Sequence, residues 1–127
     1  MKNKIMKKYI LILATIFAFS CSSSEEEITQ NPFIGNSYTA NDPIASIIHG
    51  NGSTTTIEFL TETNCQRIEF RASGPFAGNV VKQGTYVFEG NKVTWTVDDE
   101  VRTANLSGTI LISTVVINGN PITYQKN

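Results

Sequence analysis

Apolar and polar residues alternate along much of the chain between about residues 33 and 124. The clearest case is Lys92-Val93-Thr94-Trp95-Thr96-Val97, and residues 55–59 repeat the pattern. A period of two is typical of antiparallel strands with one buried face. The residues expected to face inward are Val93, Trp95 and Val97 of the first segment and Ile57 and Phe59 of the second.

Residues 67–71, Arg-Ile-Glu-Phe-Arg, show the same alternation. The pattern predicts that Ile68 and Phe70 face inward. Arg67 and Arg71 would then lie on the outer face with Cys65, where they would meet charges on neighbouring strands. In the alternative interpretation this charged face lines a barrel and meets an anionic ligand.

Glycine and asparagine separate these runs at short intervals. Gly90-Asn91 and Asn118-Gly119 predict tight hairpins, because both residue types tolerate positive φ. Seven or eight short strands at this spacing predict an all-β domain, either a sandwich or an antiparallel up-and-down barrel. No crossover helix fits between the strands, so parallel pairing is not expected. Residues 42–49 are compatible with a short helix or a strand.

The first twenty residues do not belong to this pattern. Four lysines precede an apolar run over residues 9–19, and small residues follow it. As a helix this run would cross roughly half of a ~30 Å hydrocarbon core. A charged start, a short apolar run and a small residue at the exit predict a cleaved secretory signal over residues 1–20.

The exit reads Ala18-Phe19-Ser20-Cys21. It resembles the lipobox of bacterial lipoproteins, in which a diacylglycerol is attached to the cysteine thiol and the new amino terminus is acylated. Three serines and three glutamates follow, and residues 21–32 would form an extended, solvated tether. Cysteine, serines and an acidic cluster are similar to the tether of surface-exported lipoproteins in Bacteroidota. The resemblance implies lipid anchoring at Cys21 in the outer membrane, facing either the periplasm or the cell surface.

Three segments resemble the small lipocalin-like lipoproteins of Bacteroidota: Gly35-Asn36-Ser37-Tyr38, Thr63-Asn64-Cys65 and the run from Gly84 to Trp95. The resemblance covers most of the mature chain. It implies a lipocalin-like β-domain over residues 33–127. The matching residues belong mainly to hairpins and core, so they imply a fold and no particular activity.

Charge narrows the range of partners. The chain has ten basic and eleven acidic residues, and four of the lysines lie in the predicted signal. The mature part therefore has six basic residues against eleven acidic ones, a net charge of −5. An acidic domain without a basic stripe is not expected to bind nucleic acid.

Candidate chemistry is sparse. His49 is the only histidine, and it precedes a glycine-rich turn. Cys65 is the only cysteine left once Cys21 is acylated, and a buried, inert thiol is expected there. Asp98-Asp99-Glu100 is expected to be a solvated turn, because adjacent acids on a strand point to opposite faces. We therefore predict no catalytic residues, no metal site and no cofactor.

The sequence favours a monomeric, non-enzymatic binding or interaction module anchored to the membrane by lipid. Its partner would be a small apolar or glycan ligand or another envelope protein, and the residues expected to contact a ligand are Trp95, Phe70 and Arg67. The alternatives are an accessory structural lipoprotein of a surface complex and, with less support, a hydrolase.

Overall fold

A computed structural model describes residues 30–127 of the chain. The predicted signal peptide and residues 21–29 of the predicted tether, which include Cys21, lie outside the described residues. Among the residues that are described, no helix is long and apolar enough to cross a membrane.

The domain consists of eight strands and one short helix, α1, between the first two strands. Each strand pairs antiparallel with the next, and the first strand pairs with the last, so the sheet closes into a barrel. The predicted all-β antiparallel fold is confirmed, and a barrel forms in place of a sandwich. The elements are β1 (Ser37–Asn41), α1 (Pro43–His49), β2 (Thr54–Phe59), β3 (Asn64–Arg71), β4 (Gly78–Glu89), β5 (Lys92–Val97), β6 (Glu100–Ser107), β7 (Ile110–Ile117) and β8 (Asn120–Lys126).

Two-residue turns join the later strands. Gly90-Asn91 links β4 to β5 and Asn118-Gly119 links β7 to β8, so both predicted hairpins are confirmed. Asn118 has a φ of 52° and Gly119 one of 80°. Such left-handed turn residues match the right-handed twist of the strands they connect.

Residues 42–49, for which the sequence left helix and strand open, contain α1. Asp42 caps the helix by accepting hydrogen bonds from the backbone N–H groups of Ile44 and Ala45, at 2.9 and 3.3 Å. Pro43 follows the cap, where its missing N–H removes no helical hydrogen bond. Seven residues form a marginal helix on their own, so the cap is a substantial part of its stability.

Aromatic side chains fill the interior from the middle of the barrel to the end at which residue 31 joins it, which we call the tether end. Phe33 lies there with its ring centroid 5.4 Å from that of Phe59. Phe59 contacts Trp95 at 6.3 Å, and Trp95 contacts Tyr124 at 5.8 Å in an edge-to-face arrangement. The inward positions predicted for Val93, Trp95, Val97, Ile57 and Phe59 are confirmed.

The predicted orientation of β3 is wrong. Phe70 is 44% exposed, whereas Cys65 is fully buried and Arg67 is 8% exposed. Cys65 pairs directly with Phe59, which faces the core, and directly paired residues share a face of the sheet. Strand alternation then carries Arg67 inward and Phe70 outward, because a shift of one residue reverses every side chain.

Candidate functional site

The end of the barrel opposite the tether end contains a chamber of about 150 Å³ that is partly open to solvent. Residues of α1 form one wall through Ile44, Ala45 and Ile48, and Trp95 and Tyr124 border it from the aromatic core. The remaining lining is mainly charged or polar: Asp42, His49, Thr55, Arg67, Glu69, Glu100 and Arg102. The interior is thus filled at one end and hollow and polar at the other.

Arg67 lies at the centre of the charged lining. Its Nη2 is 2.9 Å from Glu69 Oε1, and its Nη1 donates to Glu100 Oε2 at 2.9 Å. Glu69 in turn accepts from Arg71 Nη2 at 2.9 Å and lies 3.9 Å from Lys82 Nζ. Arg67 therefore joins the carboxylates of β3 and β6 across the interior.

Arg102 links β6 to β8 and to the helix cap. Its Nε donates to Glu100 Oε1 at 2.7 Å and its Nη1 donates to the Tyr124 hydroxyl at 2.9 Å. The same Nη1 lies 3.6 Å from Asp42 Oδ2, and Thr55 donates to that oxygen at 3.4 Å. The helix that borders the chamber is therefore tied to its charged lining.

Two donors in this network have no partner, Arg67 Nε and Arg71 Nε, and of these two arginines only Arg67 lines the chamber. Arg67 Nε is buried and makes no hydrogen bond, although both terminal nitrogens of the guanidinium contact carboxylates. A buried N–H without an acceptor is uncommon, because it loses its bond to water without replacement. A ligand with an acceptor atom in the chamber could satisfy it.

Nearby cations lower the pKa values of two carboxylates in the chamber, Glu69 and Glu100. Burial raises the pKa of Glu69, but the hydrogen bond from Arg71 and the charges of Arg67 and Lys82 outweigh burial and leave it below the ordinary value. Burial likewise raises the pKa of Glu100, and Arg102 and Arg67 together lower it further than burial raises it. Desolvation is the largest influence on Tyr124 and raises the pKa of its hydroxyl.

The structure brings together two of the three residues predicted to contact a ligand. Trp95 and Arg67 both line the chamber, whereas Phe70 lies on the outer face and does not. His49, expected at the edge of a loop, ends α1 and also borders the chamber. Cys65 is buried, as predicted, and burial raises the pKa of its thiol to about 11.

The three acidic residues predicted to form a solvated turn, residues 98–100, do not all lie in the turn. Asp98 and Asp99 form the turn between β5 and β6, with φ of 51° and 61°. Asp98 is exposed and its Oδ2 lies 2.8 Å from Lys82 Nζ. Glu100 instead begins β6 and turns inward to the two arginines. Within residues 30–127, no three acidic, histidine or cysteine side chains are placed to hold a metal ion.

Sequence reasoning missed most of the charged lining. Asp42, Arg102 and Tyr124 were not singled out, and Glu100 was assigned to a solvated turn. One pattern could have indicated part of this lining. Glu100 and Arg102 lie on the same face of β6 as the apolar residues Ala104 and Leu106, and Arg67 lies on the same face of β3 as Cys65. Charges that continue an apolar face towards one end of a strand indicate a barrel interior that becomes polar.

The chain was compared with protein-family models, with curated proteins and with solved structures. None of the three comparisons found a significant match.

Proposed function

We propose that this protein is an envelope-anchored, non-enzymatic binding module. Lipid on Cys21 would hold it in the outer membrane, and the chamber bordered by Trp95 and Arg67 would hold its ligand. The observation that carries the proposal is the unpartnered, buried N–H of Arg67, a residue that lines a chamber partly open to solvent. The proposed membership of the small lipocalin-like lipoproteins is consistent with the closed eight-stranded barrel.

The position of the chamber supports this role. The chain joins the barrel at Asn31, whose side chain donates to Glu62 at 3.0 Å and to the Tyr86 hydroxyl at 2.9 Å. These contacts lie at the end where β2 finishes and β3 begins, whereas the chamber lies where β1 finishes and β2 begins. The first residues of the barrel domain therefore contact the end opposite the chamber.

The ionisation of the chamber favours binding over hydrolysis. A general acid at neutral pH needs a carboxyl with a raised pKa. The pKa values of Glu69 and Glu100 are lowered instead, and each carboxylate already contacts arginine. Neither group is therefore suited to donate a proton to a leaving group.

Anchoring is tested by replacing Cys21 with alanine in the producing bacterium. The native protein should fractionate with the outer membrane and carry fatty acid on its first residue in mass spectrometry. The Cys21→Ala variant should remain unprocessed or become soluble. Recovery of an acylated, membrane-bound Cys21→Ala protein would refute the anchor.

Binding is tested through Trp95, which is the only tryptophan in the chain. The mature lipoprotein is titrated with small anions, cations, neutral polyols and apolar compounds while Trp95 emission is recorded. Ala45→Leu, which adds a larger side chain to the wall of the chamber, serves as the blocked control. A saturable response to any one class, lost in Ala45→Leu, is expected. A flat response to every class would overturn the binding function.

A second candidate, an accessory lipoprotein of a surface complex, is favoured by apolar side chains on the outer face of β3 and β4. Ile68 pairs with Val81 there, and Phe70 lies beside them. Phe70 and Val81 are 44% and 53% exposed. In this case Val81→Ser should remove the protein from an envelope complex isolated in mild detergent, while Ala45→Leu should leave the complex intact.

A further inference from the structure

The chamber belongs to a network in which positive and negative groups are equal in number. Three carboxylates and two arginines line the chamber itself. Two further cations, Arg71 and Lys82, contact Glu69, and Asp98 contacts Lys82. The four cations are Arg67, Arg71, Lys82 and Arg102, and the four anions are Asp42, Glu69, Asp98 and Glu100.

This balance disfavours a charged ligand. A carboxylate placed beside Arg67 would also lie near Glu69 and Glu100, and an ammonium group would lie near two arginines. Either would leave one charge uncompensated in a site whose central side chain is 8% exposed. Burying such a charge is unfavourable, because it loses its hydration and gains no partner of opposite charge. A neutral ligand keeps the network balanced.

The chamber offers both a donor and acceptors to such a ligand. Arg67 Nε lacks an acceptor. Each Glu100 oxygen takes one arginine donor, at 2.7 and 2.9 Å, and an ionised carboxylate has about four lone-pair sites. A ligand that both accepts and donates hydrogen bonds would therefore use both. A hydroxyl group does so with a single oxygen.

The size of the chamber and its apolar surface narrow the range of possible ligands further. A cavity of about 150 Å³ holds roughly one benzene-sized molecule, about six non-hydrogen atoms. Trp95, Ile44 and Ile48 give part of its lining an apolar surface. Carbon atoms bearing hydroxyl groups would place C–H against these side chains and O–H against the charged ones.

We propose that the chamber binds a neutral, hydroxyl-bearing group of about six non-hydrogen atoms, either a small free polyol or the exposed end of a sugar. This inference rests on the proposed binding function and names the ligand class of the same site. A sugar larger than the chamber would project through its open side.

Trp95 emission tests the class directly. The mature lipidated protein is kept in a zwitterionic detergent without a sugar headgroup, at constant ionic strength. Glycerol, methyl glucoside, sodium propionate and propylammonium chloride are titrated in parallel, and the same additions to Ala45→Leu correct for effects of bulk solvent. We expect a saturable change with glycerol, and none with propionate or propylammonium. A response to methyl glucoside as well would show that the chamber also accepts the exposed end of a sugar.

The Arg67 donor is tested with Arg67→Lys, which retains a positive charge and lacks the Nε–H. Binding of glycerol should weaken about tenfold or more, as expected when a hydrogen bond to a charged group is lost. Because Arg67 also holds two carboxylates, this variant is used only if its circular dichroism matches that of the native protein. Ala45→Leu tests the site independently of that condition.

The outcomes separate the two proposals. A response confined to propionate or to propylammonium would overturn the polyol class and leave the binding function standing. No response to any of the four compounds would overturn the polyol class, and a flat response to apolar compounds as well would overturn both proposals. A glycerol response that persists unchanged in Ala45→Leu would overturn the chamber as the site.

Discussion

Arg67 combines a cost of burial with several compensating contacts. Removing a guanidinium from water costs several kcal/mol, and this cost is offset only by well-placed partners. Glu69 and Glu100 supply them, one on its own strand and one on β6, each at 2.9 Å. The side chain therefore holds two strands of the barrel in a defined relation at the rim of the chamber.

Replacing Arg67 with methionine should destabilise the barrel by about 3 kcal/mol, because breaking a buried ion pair leaves charges without their partner. Urea denaturation followed by circular dichroism measures the loss. Lys92→Met is the matched control, since Lys92 is exposed on the outer face opposite Glu89 and its loss should change stability by less than about 0.5 kcal/mol. Equal losses in the two variants would contradict the role given to Arg67.

Cys65 should be unreactive in the folded protein. It is fully buried, and burial raises the pKa of its thiol to about 11, so almost no thiolate forms at pH 8. A chromogenic disulfide reagent at pH 8 should react with less than a tenth of the native protein within minutes, and with about one thiol per chain in urea. The alternative of a reactive thiol would give rapid reaction without denaturant.

Whether a single side chain could be placed inside or outside from the sequence depended on the residue types on the two faces of its strand. Trp95 could be placed inward because it lies between Val93 and Val97 with threonines opposite. Residues 67–71 present apolar residues on one face and charges on the other, which normally puts the charges in water. The barrel reverses this, because Cys65 must share the inner face with its partner Phe59. Strand pairing decides which face of β3 lies inside the barrel, and the sequence of that strand alone does not contain this information.

At the scale of elements, α1 is a short helix stabilised from outside itself. None of its residues is buried, and Ile47 is 82% exposed. The helical spacing is that of Ile44, Ile47 and Ile48, but these side chains contribute little to the core. The pattern over residues 42–49 was therefore compatible with either a helix or a strand. The Asp42 cap and the hydrogen bond from Gly50 N–H to the Ser46 carbonyl oxygen secure its two ends.

Two substitutions at Asp42 should separate its capping role from its charge. Asp42→Ala removes the helix cap and the contact with Arg102, and we expect a loss of about 1–2 kcal/mol from the cap alone. Asp42→Asn retains an oxygen that accepts from Ile44 and Ala45, so the difference between the variants measures the cap. Equal denaturation midpoints for the two variants would show that the cap contributes nothing.

Gly84 is required by the close approach of β4 and β5. A methyl group there would overlap the carbonyl oxygen of Thr96 and the Cγ2 of Val97. Gly84→Ala should therefore cost about 1–3 kcal/mol, although alanine is usually tolerated better than glycine within a strand. Gly108→Ala is a steric control, since no atom lies near the added carbon, although its φ of 61° adds backbone strain. A neutral Gly84→Ala variant in thermal unfolding would contradict this packing.

At the scale of the whole molecule, local sequence signals predicted the hairpins but not the closure of the sheet into a barrel. Turn residues and alternation lie close together in the chain, so the number of strands and their antiparallel order could be inferred. Closure depends on β1 and β8, which meet through only two residue pairs, Tyr38 with Lys126 and Thr39 with Gln125. The chamber also depends on distant residues, because Arg67 meets Glu100 only after the four strands from β3 to β6 have been placed side by side.

The charged interior should make the whole barrel sensitive to acid. The pKa values of Glu69 and Glu100 are lowered by folding from an ordinary value of 4.5, so the unfolded chain takes up protons at these groups before the native state does. Their contribution to stability is therefore complete well above pH 4.5 and is lost as the pH falls through the native pKa values. Urea midpoints should be nearly constant from about pH 7 to 6 and fall steeply below about pH 4.5.

Glu69→Gln tests whether the network causes this loss. The variant should be less stable than the native protein at pH 7, because Arg67 and Arg71 lose a charged partner. It should also lose less stability on acidification, since one titrating group has been removed, so its midpoints should approach those of the native protein at low pH. Glu89→Gln, which alters an exposed carboxylate on the outer face of β4, is the matched control for removing a negative charge. Acid profiles of the native protein and Glu69→Gln that remain parallel down to pH 3 would exclude Glu69 as a source of the acid sensitivity.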